Sequence, residues 1–150
     1  MRIYIAADHA GYWLKEQIKE DLRQKGHEVE DLGNSEFDSG DDYPDFVIPA
    51  AEEVAKDPEG LGIVLGRSGN GEVIAANKVK GVRAALCLNE KMAKKARTDN
   101  NANVLALAAD FVDGQKAEKI IEVFLDTPYP EEVRHKRRIE KILSYESSKS

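Results

Sequence analysis

Cysteine is almost missing from this chain: Cys87 is the only one among 150 residues. No intrachain disulfide can form, which fits a reducing compartment. Cys87 lies in the apolar run from Val82 to Leu88, a context that favours a buried thiol over a nucleophile. Long hydrophobic stretches are lacking too. No apolar run approaches the roughly 20 residues of a membrane-spanning helix. The chain opens on a strand-like segment, Arg2 to Ala7, without the apolar region of a signal peptide, so a cytoplasmic location is expected. Positive charge is in deficit. Lys and Arg number 22 against 28 Asp and Glu, a net charge of −6. That balance argues against nonspecific nucleic-acid binding, which needs a basic face, but it allows a local basic pocket. His9, His27 and His135 lie far apart and have no cysteine companions, so no zinc site is indicated. There is no Walker pattern, and no G-x-G-x-x-G follows the first strand, so no dinucleotide cofactor is expected.

What is present is alternation. A hydrophobic share of 41% with 33% charged residues fits one globular domain over residues 1–150, with a frayed tail over 146–150. Ile3 to Ala7 reads as a buried strand. Leu14, Ile18 and Leu22 then mark one helix face, which Gly26 ends. His27 to Leu32 is a second strand, and Gly33 to Asp42 a polar loop before a helix near Asp45 to Lys56. Leu61 to Leu65 is the third strand, followed by a helix from about Asn70 to Asn77. Val82 to Leu88 is the fourth strand, Glu90 to Arg97 a helix, and Asn103 to Ala108 the fifth strand. Ala117, Ile120, Ile121, Phe124 and Leu125 define another helix face. Pro128 and Pro130 precede a final charged helix, Glu131 to about Tyr145. The alternation predicts a Rossmann-like three-layer α/β sandwich: a five-stranded parallel sheet covered on both faces, plus an extra C-terminal helix. In such sheets ligands bind beyond the carboxyl ends of the strands.

Those ends carry the candidate chemistry. The segment from Gly62 to Lys78 is a buried strand, a turn with three glycines and a helix start. Such a turn exposes backbone N–H groups to an anion. Glu72 sits in the first helical turn, where it is either a base beside that cradle or an ordinary carboxylate favoured by the helix dipole. Asp8 and His9 follow the first strand, where they either bind substrate hydroxyls and relay a proton or form a helix N-cap. Arg134 and Arg138 are one helical turn apart and form either a phosphate clamp or a solvated basic face.

Taken together, five segments resemble the ribose-5-phosphate isomerase B family, which includes the galactose-6-phosphate isomerase subunits. They are Ala7-Asp8-His9-Ala10-Gly11, Asp42-Tyr43-Pro44, Gly66 to Lys78, Asn100-Asn101-Ala102-Asn103 and Arg134-His135-Lys136-Arg137-Arg138. The resemblance runs from Met1 to about Tyr145. It implies a homodimer or tetramer with active sites between subunits, and a place in the pentose phosphate pathway. The implied reaction is cofactor- and metal-free aldose–ketose isomerisation of ribose 5-phosphate and ribulose 5-phosphate through a cis-enediolate. One branch of the family uses a cysteine base at the position of Gly66. Another uses a glutamate after the turn, which Glu72 matches. The resemblance further implies Ser68 in proton handling or substrate binding, and the N–H groups of Gly69, Asn70 and Gly71 at the enediolate oxygen. Asp8, Tyr43 and Asn100 are implied at the sugar hydroxyls or ring oxygen, and His9, Arg134 and Arg138 at the phosphate.

Three positions depart from the family pattern. Asp99 stands where a ring-opening His is usual, Asp110 where a phosphate-binding Arg is usual, and Arg67 where Gly is usual. A unit charge pair about 4 Å apart in an effective dielectric of about 20 is worth about 4 kcal/mol, and replacing a cation with an anion reverses the sign of that term. Arg67 is therefore expected either to neutralise Asp99 or Asp110 and preserve the activity, or to belong to a pocket rewired for a different sugar. A noncatalytic sugar-phosphate binding module is the competing class. Asp99 serves as an acid–base group near neutral pH only where burial raises its pKa.

Overall fold

The computed structural model describes residues 1–149. Five strands, β1 (Arg2–Ala7), β2 (Glu28–Asp31), β3 (Leu61–Gly66), β4 (Ala84–Leu86) and β5 (Val104–Ala108), form one parallel sheet in the order β2-β1-β3-β5-β4. The expected α/β sandwich is what forms. Helices α1 (Tyr12–Gln24), α4 (Glu90–Asn100) and α5 (Gly114–Asp126) cover one face, and α2 (Pro44–Lys56) with α3 (Asn70–Ala76) cover the other. Period-two alternation divides the strands between these faces. Ile63 and Leu65 pack with Ile18, Ile120 and Phe124, while Val64 packs with Val47, Ala51 and Ala76. Every residue of β3 is buried, as a central parallel strand requires.

Register places the site. Ala7 pairs with Leu65 and Gly66 with Ala108, so β1, β3 and β5 end side by side. The sheet order reverses direction between β1 and β3, because β2 lies outside β1 and β3 inside it. Ligand crevices open at such a reversal.

Several boundaries differ from the sequence reading. β4 spans three residues rather than seven, being an edge strand paired only with β5. A 3-10 turn, His9–Gly11, separates β1 from α1. α4 continues through Asn100 and stops at Asn101, whose left-handed φ of 45° caps it. The last helix, α6 (Val133–Ser148), starts late because Glu131 has a φ of 56°. It also runs past Tyr145, so Glu146, Ser147 and Ser148 are helical rather than a frayed tail, while Ser150 lies outside the described residues. Cys87 is buried, and burial pushes its thiol pKa up to about 11, as suits a core residue.

Candidate active site

Glu72 lies at the centre of the strand ends. It occupies the first turn of α3 and is only 3% exposed. Its carboxylate rests directly on the backbone of Gly66, where a Cβ would overlap it, so the close approach requires glycine there. Burial raises the Glu72 pKa. Its own backbone N–H offsets part of that, and the negative charge of Asp8 adds to the upward push. A carboxyl group tuned upward in this way is a better general base near neutral pH.

The turn between β3 and α3 is built around Gly69. Its φ of 80° is left-handed, and a Cβ there would lie 2.5 Å from Leu86 Cδ1. Ser68 is exposed and its Oγ accepts from the Asn70 N–H at 3.3 Å, so Ser68 shapes the turn. The first turn of α3 leaves the N–H groups of Gly69 and Gly71 without acceptors inside the helix. Tyr43 is half-buried, with its phenol against Gly71: a Cβ on that glycine would lie 2.6 Å from Tyr43 Cζ. Asn70 is exposed beside them.

Asp8 is 7% exposed and caps the 3-10 turn by accepting from the Ala10 N–H at 2.9 Å. Its N-cap role is therefore real, and it is compatible with a place at the ligand edge. His9 Nδ1 lies 2.7 Å from Asp41 Oδ1, and the His9 backbone N–H donates to the same oxygen at 2.9 Å. The Asp41 hydrogen bond raises the His9 pKa. Burial opposes it, Asp8 and the Asp41 charge reinforce it, and Arg67 works against it. Asp41 was not singled out by sequence. It stands next to Asp42-Tyr43-Pro44 in a polar loop, and nothing local distinguishes it from the other loop carboxylates. Asp8, His9 and Asp41 offer three ligand atoms within 4.8 Å of one another. Hydrogen bonds already engage Asp8 Oδ1, both Asp41 oxygens and His9 Nδ1.

Arg67 and Asp110 are both exposed at this edge. They are neighbours through the backbone, the Asp110 N–H donating to the Arg67 carbonyl at 3.0 Å. The expected charge compensation is not formed: among the described residues Arg67 makes no ion pair with Asp110 or Asp99. Its charge acts on His9 instead.

A second cluster gathers on α4 and α6. Asp99 accepts from the Thr98 hydroxyl at 2.8 Å and lies 3.6 Å from both Lys95 Nζ and His135 Nε2. The Thr98 hydrogen bond holds the Asp99 pKa below the usual carboxylate range. Burial opposes this only in part, and Lys95 and His135 add to the lowering. The condition for acid–base work by Asp99, a pKa raised by burial, is therefore not met. His135 is buried between Asp99 and Glu132, while Arg134 and Arg138 are exposed. Arg134 Nε is 3.4 Å from Glu132. Asn100 lines a cleft with Arg83, Ile139 and Ile142. Among the described residues no hydrogen bond or ion pair joins Asp99, Asn100, Arg134 or Arg138 to the Glu72 cluster. Within one chain these are two separate clusters.

The chain and its fold are similar to known proteins. Residues 3–142 match the family model described as Ribose/Galactose Isomerase. The ribose-5-phosphate isomerase B of Mycobacterium tuberculosis is 48% identical over 97% of this chain and 90% of its own length. A crystal structure of ribose-5-phosphate isomerase B from Mycoplasma genitalium with bound ribulose-5-phosphate superposes with a TM-score of 0.93 at 48% identity, covering 97% of this chain and 96% of that one. The enzyme from Clostridium thermocellum gives a TM-score of 0.94 at 42% identity over the full length of both chains. The chain belongs to the ribose/galactose isomerase family.

Proposed function

We propose that this member of the family interconverts ribose 5-phosphate and ribulose 5-phosphate, with Glu72 as the base. The carrying observation is the buried Glu72 carboxylate, raised in pKa, seated on Gly66 beside a turn of free N–H groups. In the open-chain aldose, Glu72 removes the proton from C2 and the C1 carbonyl becomes the enediolate oxygen. The N–H groups around Gly69 and Gly71 stabilise that negative charge. The hydroxyl proton moves from O2 to O1, and protonated Glu72 returns its proton to C1. The base ends the cycle as it began. Asp8 and Tyr43 flank the cradle as hydroxyl ligands, and Ser68 holds the turn.

The phosphate falls to His9 and, from a second subunit, Arg134 and Arg138. Two half-sites on one chain support a homodimeric or larger assembly in which α4 and α6 of one subunit complete the Glu72 site of another. Exposed Ile74, Phe111, Val133, Ile142 and Tyr145 supply apolar surface for it. Light scattering of the purified protein tests this reading; a strictly monomeric active enzyme overturns it. Asp99 is assigned to holding His135 rather than to moving protons. No helix among the described residues is long and apolar enough to cross a membrane. The single buried thiol supports a cytoplasmic site of action.

A coupled assay with ribose 5-phosphate, beside ribose, allose and other aldose phosphates, tests the substrate. Efficient ribulose 5-phosphate formation is expected. The ionised Asp99 and the exposed Asp110 favour a second reading, a pocket tuned to another sugar, and turnover of a different panel member with ribose 5-phosphate inert would establish it. Silence across the panel means a binding module.

A further inference from the structure

Asp41 does more than close a loop. Its Oδ1 accepts from both the backbone N–H and the ring Nδ1 of His9, at 2.9 and 2.7 Å. Its Oδ2 accepts from Asn34 Nδ2 at 3.2 Å. Burial works against the Asp41 charge, but these hydrogen bonds outweigh it and hold the carboxyl below its usual pKa. An ionised carboxylate can only accept, so His9 Nδ1 must carry a proton in either charge state of the ring. Nε2 is then the nitrogen left to meet a ligand.

The support continues inward. Asn34 is 3% exposed, and its carbonyl accepts at 3.0 Å from Lys15 Nζ. Lys15 is fully buried and donates to Asp31 at 2.6 Å and to Glu16 at 2.8 Å. An unbroken polar chain therefore runs from α1 and β2 through the loop to the ring of His9. Phe37 meets that ring in a T-shaped contact, with centroids 6.4 Å apart and planes at 89°. A side chain fixed at the backbone, at one ring nitrogen and on one face has little rotational freedom left.

We propose that Asp41 is a positioning residue for substrate binding: it locks the His9 ring with Nδ1 protonated and Nε2 presented to the substrate phosphate, and Asn34 and Lys15 hold it there. The inference rests on the reading of His9 as a phosphate ligand. The charged groups facing His9 are Asp41, Asp8 and Arg67. The two carboxylates favour the imidazolium and Arg67 disfavours it. With Asp41 in place, the cationic ring persists to higher pH, where the substrate phosphate is dianionic.

The test pairs two readouts on full-length protein. Histidine ring resonances are titrated by NMR in wild type, Asp41→Asn and Asp41→Ala, with His9 assigned from His9→Gln. The affinity for inorganic phosphate and the kinetics with ribose 5-phosphate are followed from about pH 6 to pH 9, the range in which His titrates. Asp41→Asn keeps the shape and an acceptor while removing the charge. The His9 pKa is expected to fall toward the unperturbed value of about 6.5. The pH at which phosphate binding weakens should fall with it. KM should rise above neutral pH by up to about tenfold for each pKa unit lost, with kcat little changed. Asp41→Ala should go further, because it also frees the ring. A His9 titration that stays at its wild-type position in Asp41→Asn overturns the inference. So does phosphate binding that ignores the ionisation of His9, or a loss in kcat with KM intact. Failure of the functional reading looks different: wild type then turns over no ribose 5-phosphate, while the titration and the phosphate affinity still decide the role of Asp41.

Discussion

Glu72 and Asp99 are two carboxylates that the sequence nominated for proton chemistry, and their surroundings treat them oppositely. Glu72 stands where three strand ends converge, under a glycine turn, with no cation paired to it. Burial therefore raises its pKa. Asp99 lies on the outer face of a helix, 30% exposed at the side chain, with Thr98, Lys95 and His135 around it. Its pKa therefore falls. The same functional group has its pKa raised in one place and lowered in the other. Lack of a partner, rather than burial alone, separates them: Asp41 is also largely buried, but its hydrogen bonds keep its pKa low.

The sharpest way to break this comparison is at the base. Glu72→Gln should lower kcat by about 10²–10⁴-fold while ligand binding survives. Full activity in that variant would remove Glu72 from the mechanism. Gly66→Ala attacks the seat of the base rather than the base. Its methyl group overlaps the carboxylate, and a displacement of about 1 Å is enough to cost about a hundredfold in turnover. A Gly66→Ala enzyme with wild-type kcat would show that the carboxylate does not work from this position.

In the other half-site, Arg138→Ala and Arg134→Ala should act on KM. Each charge-assisted hydrogen bond lost is worth about 1.5–3 kcal/mol, so KM rises about tenfold or more while kcat changes less. Steady-state kinetics separates this from a catalytic role. Asp99→Asn should change kcat by less than about fivefold, since an exposed ion pair contributes little. A large loss of kcat there would return Asp99 to the proton path and erase the contrast with Glu72.

The smallest expected effect is on stability, and its sign is informative. The folded-state pKa of Glu72 is raised, so its stabilising contribution is fully present when the group is protonated and is lost as pH rises through that pKa. Glu72→Gln imitates the protonated form. Its melting temperature at neutral pH should therefore exceed that of wild type, and the gain should shrink as pH falls through the folded pKa and vanish below the unfolded-state value of about 4.3. The same shift moves the acid limb of kcat above the ordinary carboxylate range, because the base must be ionised to work. A lower melting temperature for Glu72→Gln at neutral pH would mean that the carboxylate is stabilised where it sits.

Much of this was readable from residues alone where the code is local. Alternating runs of Ile, Val and Leu with i, i+4 stripes predicted the layers, and the turn from Gly66 to Gly71 was legible as an anion-cradle candidate at the strand ends. β4 was read too long because an edge strand has half the pairing of a central one, which apolar content does not reveal. Of the two expectations for Arg67, neutralising an Asp or belonging to a rewired pocket, the first forms no ion pair among the described residues; the Arg67 charge acts on His9, and charge counting carries no directions.

The sequence by itself determined the layers, and the glycine turn that carries the proposed base. Each depends on periodicity, or on residues within a few positions of one another. Tertiary structure alone decided which of the two carboxyls has its pKa raised and which lowered, that Asp41 hydrogen-bonds His9 from 32 residues away, and that His135 pairs with Asp99. Those outcomes depend on desolvation and on partners brought together by strand register and helix packing, and neither quantity exists until the chain has folded.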